Sequence, residues 1–537
     1  MSCCCSSGRW WHRSAPRRAK PLESAAELAV DPVAEVPQVP ARLLGWLKLL
    51  HDKARADDDW SRSGAPDPSW DSYSTAPLMS WPRFDLIESA YAIALLADRT
   101  PAWRELYVDI LDRLIRRYVT WWGAVDWMTL KGRDPQRHAY PEEWRGTFIP
   151  AHLFGDYEAP GWTGDGLEPW GHQPDPIGAD GNLFYKGFLS LLLGLRERIS
   201  GEDRWEDRFA VVPDADEGGW VYSHRAVNET LVRQWGSRPE GCHCENTKIF
   251  PYCLSAAGLA LFVRDGNAGS DSHWVFEQWF AEAQRRYLHH GRDGAVTGSI
   301  LYHDPIAGVS MPGLPPIDLG LAFYLAAQRP EIAEQLWSAV VNALGWRAAE
   351  GPVAHIPDEP RVVSLGRVMA RELGDEAPAA RLDAFADELE PTWTDDRGFF
   401  FGFGLGEEHP RGQPNATMLL AEAIDRPGRW REALSPVTDD RFVQPSVREV
   451  DFPVLGLHQA AFDPQSESLF VSTYAASATD GATTSFTIAN LDDAPRWLVF
   501  DGDRPHSRTR LVDGRTLEVT CGVGEHHFRI HRRQGGA

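Results

Sequence analysis

From residue 41 to about residue 434 the apolar positions recur with helical spacing. The clearest case is 101–121, where Trp103, Leu106, Tyr107, Ile110, Leu111, Leu114, Ile115 and Tyr118 form one stripe. Thr100 is placed to cap that helix, and Pro101 suits its first position. The same spacing predicts helices near 41–55, 82–98, 181–199, 222–235, 251–264, 273–289, 317–328, 330–345, 362–373, 376–388 and 415–424. After about residue 440 the pattern switches to short alternating runs: SLFVSTYAA, TTSFTIANL, RWLVFDG, RTLEVTC and HHFRIHR. Asp480-Gly481, Asp501-Gly502 and Asp513-Gly514 separate them as turns, so 440–537 reads as an antiparallel β module. Residues 1–40, rich in Pro, Ala and charge, read as a disordered tail ahead of a helical domain over 41–436. Within that domain, 123–180 breaks the period. It is rich in Gly, Pro, Trp and His and is too long for a passive connection, which marks a lid or pocket-lining insertion. Helix pairs in series followed by strands suggest a mainly α chain, an (α/α)6 barrel with a C-terminal antiparallel β-sandwich-like module.

Composition narrows the partners. The chain has 537 residues and a formal net charge of −23, opposite to the basic field a nucleic-acid binder needs. No stretch reaches the roughly 18 apolar residues of a membrane span. The basic N-terminus lacks an apolar core and does not read as a secretory signal, so a cytoplasmic location is expected. Tryptophan is abundant at 23 residues; Trp60, Trp70, Trp81, Trp121, Trp122, Trp127, Trp144, Trp162 and Trp170 precede or lie inside the insertion, as an aromatic lid over a hydrophobic pocket would. There is no phosphate-binding glycine loop, dinucleotide fingerprint or Gly-X-Ser-X-Gly, and no cofactor is expected.

Candidate chemistry concentrates in GCHCENTKIFPYC, residues 241–253. Pro251 opens a helix, so Cys253 falls in its first turn and Cys244 in the approach loop. A helix N-terminus favours a thiolate, and two such thiols can serve as nucleophile, acid or base, with Glu245 and Asn246 alongside. Two other readings stand beside it. Buried cysteines are ordinary core residues, and Cys242, His243, Cys244 and Cys253 have the elements of a zinc site, though no second Cys-X-X-Cys pair closes one. The second segment, 175–209, places Phe184, Phe188, Leu191, Leu192 and Leu195 at helical spacing, which suits either core or pocket, with Tyr185 and Lys186 as polar interruptions.

These two segments resemble the linalool dehydratase/isomerase family. At 182–206 the chain carries asparagine-aliphatic-X-Tyr-Lys-Gly-X-Leu and then Gly-X-X-Arg-aromatic-Glu. At 244–253 it carries Cys244-Glu245, the pair Ile249-Phe250, and Cys253 nine residues after the first cysteine. Weaker similarity covers 82–122 and 298–309, including Tyr302-His303. The resemblance implies an (α/α)6 barrel, a small hydrophobic substrate, proton transfer through Cys244 and Cys253, and a homo-oligomer whose pocket is completed by a neighbouring subunit. It implies a catalytic aspartate before the 82–98 helix, for which Asp59 in Asp57-Asp58-Asp59 is the candidate, although three adjacent acids equally suit a solvated turn. Phe84, Phe184, Tyr185, Phe188 and Phe250 are the expected substrate-facing residues. The chain departs from the family where Phe188 replaces its histidine, and where Pro315-Pro316-Ile317-Asp318 lacks its tyrosine, making Asp318 a further candidate carboxylate. A drier pocket keeps acids protonated and suits a carbocation.

Three functions follow. The first is cofactor-free acid–base chemistry (dehydration, hydration, isomerisation or protonation-started cyclisation) on an isoprenoid-type alcohol or alkene. The second is a carbohydrate-active (α/α)6 lyase or hydrolase using Asp395, Asp396, Glu388 or Asp59. The third is a non-catalytic scaffold that binds a hydrophobic ligand. The aromatic run after Asp395-Asp396, and Glu407-Glu408-His409, are open between pocket, packing and solvated loop.

Overall fold

The computed structural model describes residues 37–61, 63–71, 82–124, 167–168, 171–172, 175–179, 181–211, 219–244, 248–305, 308–348, 360–437, 440–477 and 481–533. Residues 1–36 of the expected tail, most of the expected lid and Glu245 lie outside them; the last tail residues are described, with Val39 buried and donating its N–H to the His458 carbonyl.

Among the described residues, twelve helices run eleven residues or longer. They are α1 (Ala41–Ala54), α2 (Pro82–Arg99), α3 (Arg104–Tyr118), α4 (Leu183–Ser200), α5 (His224–Gly236), α6 (Pro251–Ala268), α7 (Trp274–Arg286), α8 (Pro315–Leu325), α9 (Pro330–Ala343), α10 (Pro360–Leu373), α11 (Glu376–Ala386) and α12 (Gly412–Ala423). Each matches a helix expected from the apolar period. The stripe on α3 is buried from Leu106 to Tyr118 as its spacing requires.

The start of α3 differs from expectation. The helix begins at Arg104, and the Thr100 hydroxyl donates to the Leu96 carbonyl of α2 instead of capping α3. A threonine at a helix C-terminus satisfies the last turn of the helix behind it as readily as the first turn of the one ahead.

The even-numbered helices touch in sequence, α2 to α4, α4 to α6, α6 to α8, α8 to α10 and α10 to α12, and α12 returns to α2. The odd-numbered helices pack outside them. Burial follows the same division. Helix α2 buries every residue but one, whereas α7 buries only Val275, Phe276, Trp279, Phe280 and Ala283. Glycine sets the closest approach: an added Cβ on Gly187 of α4 would lie 2.9 Å from the Ala257 Cβ of α6.

Short antiparallel strands join the helices: β1 (Leu288–His290), β2 (Val296–Asp304) and β3 (Val309–Pro312) form one sheet, and β4 (Pro391–Thr394) pairs with β5 (Gly398–Phe401). The expected strands then appear as β8 (Ser468–Ala475), β9 (Thr483–Ala489), β10 (Trp497–Asp501), β13 (Thr516–Gly522) and β14 (His526–Arg532). The alternation did not single out β6 (Ser446–Arg448), β7 (Leu455–Asp463), β11 (Arg504–Pro505) or β12 (Thr509–Asp513). The sheet orders are β6-β9-β13-β12 and β7-β8-β14-β10-β11. The two sheets meet where the rings of Phe486 and Phe528 stand 5.6 Å apart. Phe452 joins this region to the helices by packing edge-on against His51 and Trp103.

Candidate active site

The two motifs interlock. Gly181 and Asn182 adopt left-handed backbone, with φ of 117° and 50°, which turns the chain sharply into α4. The Asn182 N–H donates to the Cys244 carbonyl at 3.0 Å. The Phe184 N–H, in the first turn of α4, donates to Cys244 Sγ at 3.4 Å. Such an N–H has no partner inside its own helix, so the sulfur supplies one. Cys253 lies in the first turn of α6, directly after Pro251 and Tyr252. Both cysteines are buried. The cysteine segment is fixed on its other side by β2: Ile249 exchanges both backbone hydrogen bonds with His303, the Phe250 ring lies 5.2 Å from Tyr302, and buried Lys248 pairs with buried Asp304 at 3.2 Å. The second half of the first motif is structural. Arg204 and Trp205 both donate to Asp112 of α3, and Glu206 pairs with Arg264 of α6.

Phe84, Phe184 and Phe188 form one cluster. Their rings lie 4.4 to 5.6 Å apart, and all three are buried. The cluster continues through Tyr252, 5.4 Å from Phe184, and Tyr324, 5.2 Å from Tyr252. Phe184 therefore links the motifs. Its N–H is on Cys244, and its ring is on the residue preceding Cys253.

Behind Tyr252 runs a polar chain that the sequence reading missed. Arg361 of α10 donates to the Tyr252 hydroxyl at 2.6 Å and to Glu88 of α2 at 2.5 Å. Gln413 and Thr417 of α12 complete the Glu88 carboxylate at 2.8 and 2.7 Å. The hydroxyls of Tyr324 and Tyr91 lie 3.2 Å apart. Burial raises the Tyr252 phenol, while Arg361 pulls it down. The available signal was a carboxylate within a helix too apolar to expose any face, because a buried charge demands a partner.

Three expected site residues lie elsewhere. Asp59 is exposed and accepts the Ser61 N–H two residues on; the turn lowers its carboxyl and keeps it off the aromatic cluster. In that acidic run it is Asp58 that is tied in, by Trp60 and Arg117. Tyr185 stacks on Tyr118 of α3, and its hydroxyl donates to the Tyr118 carbonyl, so it packs against an outer helix. Asp318 accepts from Ser299 of β2 at 2.6 Å, and burial pushes its carboxyl up to about 6. The Asp395–Phe401 loop is the β4–β5 turn, and Phe399 packs against Gly45 of α1, under Arg42.

Open space lies at another place. Two adjoining clefts of 320 and 510 Å³ open at the starts of α2 and α12 and share Asp67, Ser69, His409, Pro410 and Arg411. The smaller also meets Lys53, Asp85 and Asp396. Neither is lined by Cys244 or Cys253. Asp85 pairs with Lys53, and burial, with Asp71 nearby, drives its carboxyl upward. Asp71 accepts the N–H groups of Gly412 and Gln413 and so anchors the start of α12. Among the described residues no three His, Cys, Asp or Glu side chains converge as a metal site, and no helix is long and apolar enough to cross a membrane.

No curated protein matches this chain. Among solved structures it is similar to endoglucanase CelQ from Clostridium thermocellum, solved with cellotetraose, at 10% identity over 93% of each chain with a TM-score of 0.33. It is also similar to Ara127N-Se, a GH127 β-L-arabinofuranosidase from Geobacillus stearothermophilus T6, at 11% identity over 93% of this chain and 76% of that one with a TM-score of 0.27. Likeness this low carries no argument about activity. Residues 162–400, which span both interlocked motifs, match the family described as linalool dehydratase/isomerase.

Proposed function

We propose that the protein is an acid–base enzyme of the linalool dehydratase/isomerase type, acting without a cofactor on an isoprenoid-type alcohol or alkene. The observation that carries this is the sulfur of Cys244 at the N-terminus of α4, with Cys253 in the first turn of α6 and Phe184 joining the two. In this reading one cysteine takes a proton from carbon and the other gives one. Phe84, Phe184 and Phe188 enclose the hydrocarbon and stabilise positive charge on it. Asp318 serves as a reserve carboxylate beside β2. The finer fold assignment belongs to the same proposal: six inner and six outer helices as an (α/α)6 barrel over 41–436, and the two C-terminal sheets as a β-sandwich over 440–537. The closed order of the even-numbered helices supports the first and the Phe486–Phe528 contact the second.

The test is turnover of a panel of monoterpene to diterpene alcohols and alkenes in deuterated water, read as new alkene or alcohol and as deuterium on carbon. Cys244→Ala and Cys253→Ala are each expected to lose about a hundredfold or more in kcat with folding intact. Full activity in both variants sinks the cysteine assignment.

A further inference from the structure

We propose that Tyr252 handles the substrate hydroxyl, with Arg361 and Glu88 as the positioning residues behind it. This rests on the acid–base reading above and names the group that meets the alcohol. The argument starts from what Glu88 needs. Its side chain is 2% exposed and its carboxylate is fully occupied by Arg361, Gln413 and Thr417. A buried ion pair held from three helices has one fixed geometry. The same Nη2 of that guanidinium donates to Tyr252, whose oxygen accepts from it. A phenol has one proton to give. With Arg361 on its acceptor side, the O–H is directed to an entering hydroxyl. The chain also surfaces at this point. Tyr252 and Arg361 are partly accessible, Arg361 at 17%, whereas Tyr324, Tyr91 and Glu88 are buried. Around the exit stand Phe184 and the first turn of α6 with Cys253. Gly320 of α8 makes the space for the ring, because a Cβ there would sit 2.3 Å from Tyr252.

The ligand this arrangement fits is an allylic or tertiary alcohol with a hydrocarbon body. The Tyr252 proton passes to the alcohol oxygen as the C–O bond breaks, and the bonding pair leaves on water. The phenolate so formed faces the Arg361 guanidinium. The cation left on carbon loses a neighbouring proton to a cysteine thiolate, and the C–H electrons become the double bond. Return of that proton from thiol to phenolate restores both groups, so alcohol gives alkene and water with nothing else consumed.

The experiment compares binding of linalool and of myrcene, an alcohol and a hydrocarbon of one skeleton, by intrinsic tryptophan fluorescence. The wild-type protein is expected to bind linalool about tenfold more tightly. Tyr252→Phe removes that preference while keeping myrcene binding and melting temperature, and Arg361→Lys gives an intermediate ratio. If Tyr252→Phe does not fold, Gly320→Ala crowds the same ring and is expected to lose the same preference. A wild-type protein that does not prefer linalool, or a Tyr252→Phe protein that still does, overturns the proposal. The cysteine variants separate the two readings. They are expected to keep the linalool preference and lose turnover; full turnover in them defeats the cysteine step in both readings and leaves standing only the role of Tyr252 toward the hydroxyl.

Discussion

The interior around Phe184 and the cleft at the heads of α2 and α12 use polar groups in opposite ways. In the interior, charge is scarce and the Glu88 carboxylate is held from several helices. Glu88 has three partners, and the chain reaches a partly open surface only at Arg361 and Tyr252. In the cleft, Asp52, Asp67, Asp396 and His409 line open space, and Lys53 and Arg411 are buried in ion pairs at its walls. Water screens such groups and leaves them little power to direct a reaction, whereas the dry interior magnifies each one. Volume and chemistry therefore separate in this molecule. The cleft's buried acids instead support the interior: Asp71 anchors the N–H groups of Gly412 and Gln413, and the same helix carries Gln413 and Thr417 to Glu88.

That division is most strongly tested at the cleft floor. Lys53→Met leaves the Asp85 carboxyl buried without its cation. The expected loss is about 4 kcal/mol of unfolding free energy in urea, with turnover per folded molecule unchanged. A loss below about 1 kcal/mol would mean the pair is screened like the open charges of the cleft and does not share the dry regime of the interior. Phe184→Ala is the matching test of the interior. Removing a ring that contacts Phe84, Phe188 and Tyr252 is expected to cost about 3 kcal/mol and, unlike Lys53→Met, to take turnover with it.

The sequence made the helices legible because their burial is periodic, and the cysteines legible because ten consecutive residues carry both. The Glu88 chain was not legible, because its members come from separate helices; Glu88 and Gln413 are 325 positions apart, and only the closed ring brings them together. Asp59 lies away from the aromatic cluster for a local reason. A loop acid followed two residues later by a serine closes its own turn, while its neighbour Asp58 finds Arg117, 59 residues away. Tyr185 lies apart from the cluster because a helical tyrosine faces one side only, and its side is α3.

The departure from the family histidine gives a sharper comparison. Phe188→His puts an imidazole where no part of the side chain is exposed. The expected cost is about 2–3 kcal/mol at neutral pH, because the ring's polar atoms lose water. Burial holds such an imidazole neutral. Its folded value lies below the free one, so the penalty should grow as pH falls below about 6.5. Melting curves of the variant and the parent should therefore diverge on the acid side. Curves that stay parallel would show that the histidine finds partners and that the interior is wetter than Phe188 implies.

The smallest effect concerns Asp318, between the two regimes: 8% exposed, hydrogen-bonded to Ser299, and raised to about 6 chiefly by burial. A carboxyl raised in the folded state binds its proton more tightly there than in the unfolded chain. Its favourable contribution is complete below about pH 4 and is lost as pH rises through 6. Asp318→Asn keeps an acceptor for Ser299 and removes the titration. Relative to the parent, the variant should gain about 2 kcal/mol of stability between pH 4 and 7, read by urea unfolding at a series of pH values. A difference that does not change with pH would place Asp318 with the solvated acids of the cleft. A rise confined to that window places it with the interior, as a carboxylic acid able to hold or release a proton beside the strand that braces the cysteine loop.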